Sequence, residues 1–556
     1  MKGCRWHLLP EAPADFLAGM DLPRLLIQLL YHRGLREAHE IEPFLAGDAC
    51  LSNDPLLLPG IEAALIRIYR ALLTGERIAV YGDYDVDGVA ATAILVKGLG
   101  SLGARVTPYI PNRLTEGYGL NYTALQELRT QAVSLIITVD TGITAVAEVR
   151  KARELGLEVI ITDHHTPLIE IPEATAVINP KLASSYYPFR ELAGSGVAYK
   201  LLEALFRGMG KKEPEFTDLV ALGTIADITP IVGENRYLVR SGLKLLNTEL
   251  RVGIRCLKEL AGLGDTALDT ENIAWVIAPR LNAAGRLAHA MTGYELLVTD
   301  SPDRARELAG LLETTNAERQ LLTTQVTNQA REQILAKGVS PLLVAQSGEY
   351  PLGIVGLAAS KLAEEFYRPA VLVSTGGKVS SGSCRSIPEF NIILALNECC
   401  DLLDRFGGHA QAAGFTLPTE NLTELINRLS QIAETELKGK ELYPSLDIDA
   451  EVRLDELGGS TFQLIGRLAP FGRGNPEPAF LSRMVKVADS RTMGSEGRHL
   501  RLKLRQDSVL WDAVAFGQGG VKKVPDYLDI VYNLEMDDWQ GRQSLRLNII
   551  DFREAS

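Results

Sequence analysis

The sequence predicts a multidomain α/β protein: a parallel-sheet domain, a long connecting helix, a second and smaller α/β domain, and a small all-β barrel near the C-terminus. Three observations predict it. From about residue 51 to 300, short apolar runs alternate with amphipathic stretches, the texture of βαβ units and a mainly parallel sheet. Residues 302–337 carry no strong turn signal and are rich in Glu, Arg, Gln and Leu, which predicts one long helix. Beyond Gly439, short alternating stretches broken by glycines predict a barrel.

In chain order, residues 1–50 read as a helical lead-in. The first α/β domain, 51–300, has candidate strands at 77–82, 105–110, 134–139, 158–162 and 175–178. Functional groups in such sheets gather beyond the carboxyl ends of the strands. The connector occupies 301–338. The second α/β domain, 339–438, opens with a strand at 341–346, a helix at 356–366 and a strand at 369–374. The terminal domain, 439–556, shows alternating stretches at 479–487, 499–504, 510–516 and 544–550. At 556 residues the chain is too long for one core, in keeping with this division.

Composition excludes several classes. Apolar content of 46% and charged content of 23% are those of an ordinary globular protein. No run approaches the roughly 18 apolar residues that cross a bilayer. The first residues lack the apolar core of a signal peptide, so no membrane association is expected. Six cysteines without a CxxC pair or zinc spacing suggest small hydrophobes in a reduced cytoplasm. A net charge of −13 argues against a coat for nucleic acid. A nucleic-acid enzyme needs only a local basic groove. Residues 481–505, with seven Lys/Arg against two acids, offer one on the barrel.

The chemistry concentrates at strand ends. Asp83, Asp85 and Asp87 alternate in Gly82-Asp83-Tyr84-Asp85-Val86-Asp87-Gly88, where a buried strand gives way to a helix. Three acids so close repel one another unless cations gather them. One such turn alone reads equally as a helix N-cap. Here Asp140 ends the strand 135–139, and Asp163 ends the strand 159–162 and is followed by His164 and His165. Asp227 is the only charge in the apolar run 221–230, and a buried carboxylate needs a cation or a donor. Carboxylates with one or two imidazoles suit two Mn²⁺ or Mg²⁺ better than structural zinc. Two such ions need a shared carboxylate, here assigned to Asp140. Adjacent His side chains diverge, so His164 is assigned as metal ligand. His165 is assigned as phosphate contact or as proton donor to the leaving group.

In the second α/β domain, Ser380-Ser381-Gly382-Ser383-Cys384-Arg385-Ser386 offers hydroxyls, backbone donors and a guanidinium, a phosphate cradle with Ser381, Ser383 and Arg385 as contacts. Gly407 and Gly408 allow a phosphate close to the backbone, with His409 reaching toward the scissile group. Arg113, in a Pro- and Gly-flanked loop, is a candidate for a terminal phosphate.

Asp-Tyr-Asp-Val-Asp-Gly (83–88), the Asp140 strand end, Asp-His-His (163–165) and Asp227 together resemble the DHH phosphoesterase superfamily. The segment Phe406-Gly407-Gly408-His409-Ala410-Gln411-Ala412-Ala413-Gly414 resembles its associated DHHA1 substrate-binding domain. The segments 279–286 and 470–478, with the barrel-like tail, resemble the bacterial single-strand-specific 5′→3′ DNA exonucleases of that superfamily, whose tail is an OB-like barrel. The resemblance implies a two-Mn²⁺ or Mg²⁺ phosphodiesterase that releases 5′-mononucleotides in DNA repair and recombination. It implies Asp83, Asp85, Asp87, Asp140, His164 and Asp227 as the metal site, Asp85 on one ion and Asp87 on the other. Asp163 is then a further ligand or orients a metal-bound imidazole. Arg280, Asn282 and Arg286 become DNA-backbone or terminal-phosphate contacts. The implied partners are single-stranded DNA, a single-strand-binding protein and a RecQ-type helicase. Two departures from the family pattern fall in the second domain: Tyr350-Pro351 where an aromatic-His pair is usual, and Cys384 where glycine is usual. Two alternatives stand beside the exonuclease. One is a DHH phosphodiesterase for short oligoribonucleotides or cyclic dinucleotides, disfavoured by the length of this chain. The other is a non-catalytic single-strand-binding scaffold, disfavoured by the complete set of acids and histidines.

Overall fold

The computed structural model describes residues 4–113, 115–212, 214–494, 497–521, 523–539 and 542–555. The chain forms two compact units. One comprises Asn53–Thr229 and Leu238–Leu442; the other comprises Met1–Ser52, Pro230–Tyr237 and Tyr443–Ser556.

The first unit opens on a parallel sheet. Strands β1 (Arg77–Gly82), β2 (Arg105–Tyr109), β3 (Val133–Val139), β4 (Glu158–Thr162) and β5 (Ala176–Ile178) lie in the order β2-β1-β3-β4-β5, every pair parallel. Residues 78–82 of β1 and 135–139 of β3 are buried throughout, because helices cover both faces. This is why these strands read as continuous apolar runs rather than alternating ones. Helix α1 (Val86–Ser101) is buried almost all round, with α2 (Gly194–Gly208) and α3 (Thr217–Ala226) packed against it.

The register of this sheet places the chemistry. Gly82 pairs with Val139, Val139 with Thr162, and Thr162 with Ile178. The strand ends are therefore level, and Asp83, Asp140 and Asp163 begin the row just beyond them. The ladder runs one residue further: Asp140 N–H donates to the Thr162 carbonyl at 3.1 Å, and Asp163 N–H to the Ile178 carbonyl at 3.0 Å.

A π-helical turn, Ile273–Ile277, leads into α4 (Ala278–Leu287), and α5 (Pro302–Lys337) is the long helix the sequence predicts. The second sheet contains β6 (Leu343–Ser347), β7 (Ala370–Gly376), β8 (Val379–Arg385), β9 (Arg405–His409) and β10 (Ala412–Pro418), with α6 (Leu352–Phe366) between β6 and β7. Its order is β9-β10-β8-β7-β6; β6 and β7 are parallel and the other pairs antiparallel. The Ser-rich and Gly-Gly-His segments are thus strands. Their small, polar residues hide the alternation that would mark them.

In the second unit, β11 (Phe480–Met493), β12 (His499–Gln506), β13 (Val509–Ala515), β14 (Tyr527–Trp539) and β15 (Arg542–Glu554) close a five-stranded barrel, with β14 pairing back to β11. Its core joins Phe480, Leu500, Leu502, Leu504 and Tyr532 to Leu26, Leu29, Leu30 and Phe44 of the N-terminal helices. Arg236, fully buried, binds the carbonyls of Phe44, Leu468 and Arg467 and so ties the three chain segments of this unit together. On the outer face, Lys486 stands opposite Arg505 and Arg491 opposite Arg501. Asp489, opposite Lys503 and 2.9 Å from Arg491, and Asp512, 3.8 Å from Arg501, offset part of this like-charge pairing.

Candidate metal centre and substrate surface

Asp85 caps the N-terminus of α1, accepting hydrogen bonds from Asp87 N–H at 3.0 Å and Gly88 N–H at 3.1 Å through one oxygen. This fixes the turn that aims all three acids of the loop. Asp87 is buried in the first turn of α1 and accepts from Gly194 N–H at 2.6 Å and Ser195 N–H at 2.9 Å. The N-terminus of α2 therefore helps to hold its charge. Gly194 is required there, since a Cβ would lie 2.6 Å from that of Asp140. Two of the site's backbones are strained. Asp140 has φ +59°, and Ile228, just after Asp227, has φ +57°, an outlier for a β-branched residue. Such strain persists where the surroundings demand one carboxylate orientation.

The side chains converge. His164 Nε2 lies 3.0 Å from Asp140 Oδ1, 3.6 Å from Asp227 Oδ2 and 3.9 Å from Asp87 Oδ2. Three groups have ligand atoms all within 4.8 Å of one another: Asp87, His164 and Asp227; Asp83, Asp85 and Asp140; and Asp140, His164 and His165. Asp140 is common to two of them. Asp83 Oδ1, Asp140 Oδ1 and His164 Nε2 are buried without any hydrogen-bond donor or acceptor to satisfy them. Burial, with repulsion from neighbouring acids, drives Asp83 and Asp140 well above the usual carboxylate range, Asp87 to about 6 and Asp227 to about 8. Burial and the charge of His165 push His164 down to about 3, so its imidazole is neutral. Orphaned oxygens with a neutral imidazole fit a pair of hard divalent cations such as Mn²⁺ or Mg²⁺.

Asp163 behaves differently. Its Oδ1 accepts from His164 N–H, His165 N–H and His165 Nδ1, and its Oδ2 from Ile143 N–H. With its lone pairs so engaged, it joins none of the three groups and acts as the orienting carboxylate of His165. Burial raises Asp163, but the hydrogen bond and charge of His165 more than offset this and hold it below its ordinary value. Burial lowers His165, yet the hydrogen bond to Asp163 and the surrounding acids raise it to about 9. His165 is thus a held imidazolium, about one third exposed, beside the acid cluster.

The proposed substrate contacts separate into two sets. The sheet register places His409, Ala412 and Arg385 in one row. His409 therefore shares a sheet face with Arg385, and Ser383 and Ser381 follow at alternate positions of β8. Gly408, with φ +142°, lets β9 approach β10, where a Cβ would meet the Ala412 carbonyl at 2.3 Å. Cys384 points to the other face, fully buried, its thiol pushed up to about 12, so the departure from glycine is absorbed by packing. Tyr350 is likewise buried and bonded by Gln333. Burial first, then the positive charges of Arg113, Arg319 and Arg385, lowers Arg286 to about 10. Guanidinium groups crowded in this way favour a bound anion. Arg113 also stacks over Tyr84 at 4.9 Å.

Arg280 and Asn282, expected as phosphate contacts, also have partners within the fold. Arg280 is bound by the Glu313 carboxylate and the Val276 carbonyl, an ion pair that fastens α4 to α5. Asn282 accepts from Val86 N–H at 3.1 Å and so supports the acidic turn itself. Sequence reasoning missed Tyr118, packed edge-on to both Tyr84 and His165, and Glu116, which accepts from Tyr109 Oη and Asn112 N–H at 2.7 Å each and anchors the loop carrying Arg113. The Gly-flanked Tyr118 was a visible signal; the Glu116 contacts were not.

Comparisons with known proteins follow this geometry. Family models match at residues 77–224 (DHH family, N-terminal domain), 340–435 (DHHA1 domain) and 448–551 (RecJ OB domain). The single-stranded-DNA-specific exonuclease RecJ of Bacillus subtilis is 38% identical over 96% of this chain and 68% of that protein. RecJ of Thermus thermophilus is 36% identical over 99% of this chain and 79% of that protein. The crystal structure of Thermus thermophilus RecJ in complex with Mn²⁺ superposes with a TM-score of 0.85 at 34% identity, covering 100% of this chain and 80% of that one. A second structure, exonuclease RecJ bound to manganese, is 39% identical with a TM-score of 0.60, covering 69% of this chain and 98% of that one.

Proposed function

The chain belongs to the RecJ family of single-stranded-DNA-specific exonucleases, and from that premise we propose that it removes nucleotides one at a time from the 5′ end of single-stranded DNA by metal-dependent hydrolysis, in DNA repair and recombination. The observation that carries the reading is the convergence of Asp83, Asp85, Asp87, Asp140, His164 and Asp227 in overlapping ligand groups, with Asp83 Oδ1, Asp140 Oδ1 and His164 Nε2 buried and unsatisfied. Asp87, His164 and Asp227 would hold one ion and Asp83 and Asp85 the other, with Asp140 available to both. Bound together, two such ions supply Lewis acidity and a water-derived nucleophile at neutral pH for in-line displacement at phosphorus.

The chain's own residues do the rest. His165, held protonated by Asp163, contacts the scissile phosphate and gives its proton to the terminal nucleotide's O3′ as the P–O3′ bond breaks. Asp163 fixes the ring and stabilises its charge. The products are a 5′-mononucleotide and a strand shortened by one, bearing a new 5′-phosphate. Arg113, Arg286, Arg385 and Ser383 bind that phosphate, and Ser381 and His409 extend the same surface. Each product end is thus the next substrate end. Tyr118 packs against the first base. The basic face of β11 and β12 is a further surface for single strands.

The proposed division is a catalytic domain over 51–300, a connector over 301–338, a substrate-binding domain over 339–438 and a single-strand-binding barrel over 439–556, with 1–50 leading in; the positions of the three family models support it. Family membership supports a single-strand-binding protein and a RecQ-type helicase as partners, and a cytoplasmic location. No helix among the described residues is long and apolar enough to cross a membrane.

Hydrolysis of 5′-labelled and 3′-labelled single-stranded DNA with Mn²⁺ tests the reading, beside duplex and RNA controls. Immediate release of labelled mononucleotide from the 5′ label alone, absent on blunt duplex, is expected. Cleavage confined to very short RNA would move the chain to the small-substrate branch, and binding without cleavage would make it a scaffold.

A further inference from the structure

Trp275 is the most exposed large aromatic side chain of the first unit except Tyr186, at 76% of its full accessible surface. Burying a tryptophan stabilises a fold more than almost any other side chain, and this one is left in solvent. It sits in the π-helical turn Ile273–Ile277, where the Ala278 N–H reaches back to the Ile273 carbonyl. Turns of this kind recur at functional sites because they rotate one side chain out of helical register. Ile273 and Ile277 face the core, which turns Trp275 to the opposite side of the helix.

The helix does not end there. It runs on into α4, whose Asn282 supports the acidic turn and whose Arg286 lies within reach of the charges of Arg113, Arg319 and Arg385. Arg286 is 11 residues beyond Trp275, about 16 Å along the axis at about 1.5 Å per residue. Arginines mark the interval. Arg286 feels the charge of Arg319, and Arg319 that of Arg280. Arg280 in turn bonds the Val276 carbonyl, next in sequence to Trp275. Glu313 neutralises Arg280, while both Nε and Nη2 of Arg319 bond only the neutral Asn316 amide oxygen, so its positive charge has no carboxylate in that contact. The positive charge of Arg286 and Arg319 thus lies between the metal centre and the exposed indole, with the Arg280–Glu313 ion pair nearest the indole.

We propose that Trp275 is a nucleobase-stacking platform that holds the single-stranded substrate a few nucleotides downstream of the scissile bond. The proposal rests on the exonuclease reading above. A strand advancing at least about 3.4 Å per nucleotide spans the 16 Å interval within about five nucleotides. Stacking on an indole tolerates any base, which suits an enzyme that must feed every sequence through one site. It also gives the strand a second anchor, so that the end released by one cleavage is carried forward rather than lost.

The test is the steady-state KM with Mn²⁺ for 5′-phosphorylated single strands of two to twelve nucleotides. Wild-type KM is expected to fall as the strand reaches Trp275. Trp275→Ala is expected to raise KM for a ten-nucleotide strand about ten- to a hundredfold, the range for loss of one base–aromatic stack, and to flatten the dependence on length. Trp275→Tyr restores the dependence, because a smaller ring still stacks. In the wild type, an abasic residue scanned through nucleotides two to six produces a loss at one position, and Trp275→Ala abolishes that positional loss. KM unchanged by Trp275→Ala at every length, or an abasic profile identical in wild type and variant, would overturn the proposal while leaving the exonuclease reading intact. A wild-type protein that hydrolyses no single-stranded DNA would overturn that reading instead.

Discussion

Replacing Asp163 by Asn should turn a broad pH profile into an acidic one. Asp163 contributes more than any other group to raising His165 to about 9, through a hydrogen bond at 2.8 Å and a full charge. Asparagine keeps the shape and one oxygen acceptor for the His164 and His165 N–H groups but removes the charge. His165 then returns toward the ordinary histidine value of about 6.5. At pH 8, a group of pKa about 9 is about nine-tenths protonated and one of about 6.5 about one-thirtieth, so activity falls about thirtyfold. At pH 6 both forms are mostly protonated and the loss is below about twofold. The amide NH₂ also faces Ile143 N–H, a donor against a donor, which costs about 1–3 kcal/mol of stability. The assay is kcat against pH from 5.5 to 9 for both proteins with Mn²⁺, with thermal unfolding alongside to separate folding from chemistry. A variant whose relative activity is the same at pH 6 and pH 8 would refute the assignment of His165 as a proton donor held charged by Asp163.

Two further predictions concern the ions and the strand end. In metal-free protein, Asp227 (about 8) and His165 (about 9) hold protons in the folded chain that the unfolded chain has released, and burial shifts Asp83 and Asp140 in the same direction. Their stabilisation is therefore full at low pH and lost as pH rises through the folded values, and above pH 6.5 the lowered His164 no longer opposes the trend. The Tm of EDTA-treated protein should fall between pH 6.5 and 9, and added Mn²⁺ should raise Tm more at pH 8.5 than at pH 6.5; a Mn²⁺ effect independent of pH would count against the carboxylate cluster as its site. Arg385→Ala should raise KM about tenfold or more for a 5′-phosphorylated strand and much less for a 5′-hydroxyl strand, since a lost charge-assisted hydrogen bond is worth about 1.5–3 kcal/mol; an equal effect on both ends would remove Arg385 from the phosphate pocket.

The parallel sheet was legible because strands buried on both faces leave continuous apolar runs, and those of β1, β3 and β4 each end on an aspartate. The acids were legible because level strand ends bring sequence-distant residues into one row. Strands β8, β9 and β10 were not, since Ser, Gly and Ala carry little β signal and the sheet that holds them is built from pairings across 379–418. Strand β14 was not named although Leu534 and Met536 alternate with Asn533, Glu535 and Asp537, the same period-2 signal that marks the other barrel strands. Arginine roles were the least legible. Arg280 and Arg286 look alike in sequence, yet Glu313, 33 residues beyond Arg280, engages one and leaves the other among like charges. Only the packing of α4 on α5 makes that distinction.

The central claim is that one carboxylate, Asp140, joins two cation sites. Mn²⁺ titration by isothermal calorimetry tests it most directly, on wild type, Asp140→Ala and Asp227→Ala. The account predicts two ions per chain in the wild type, weakening of both sites in Asp140→Ala, and one site left nearly intact in Asp227→Ala. A single Mn²⁺ in the wild type, or one full-affinity site surviving in Asp140→Ala, would contradict it.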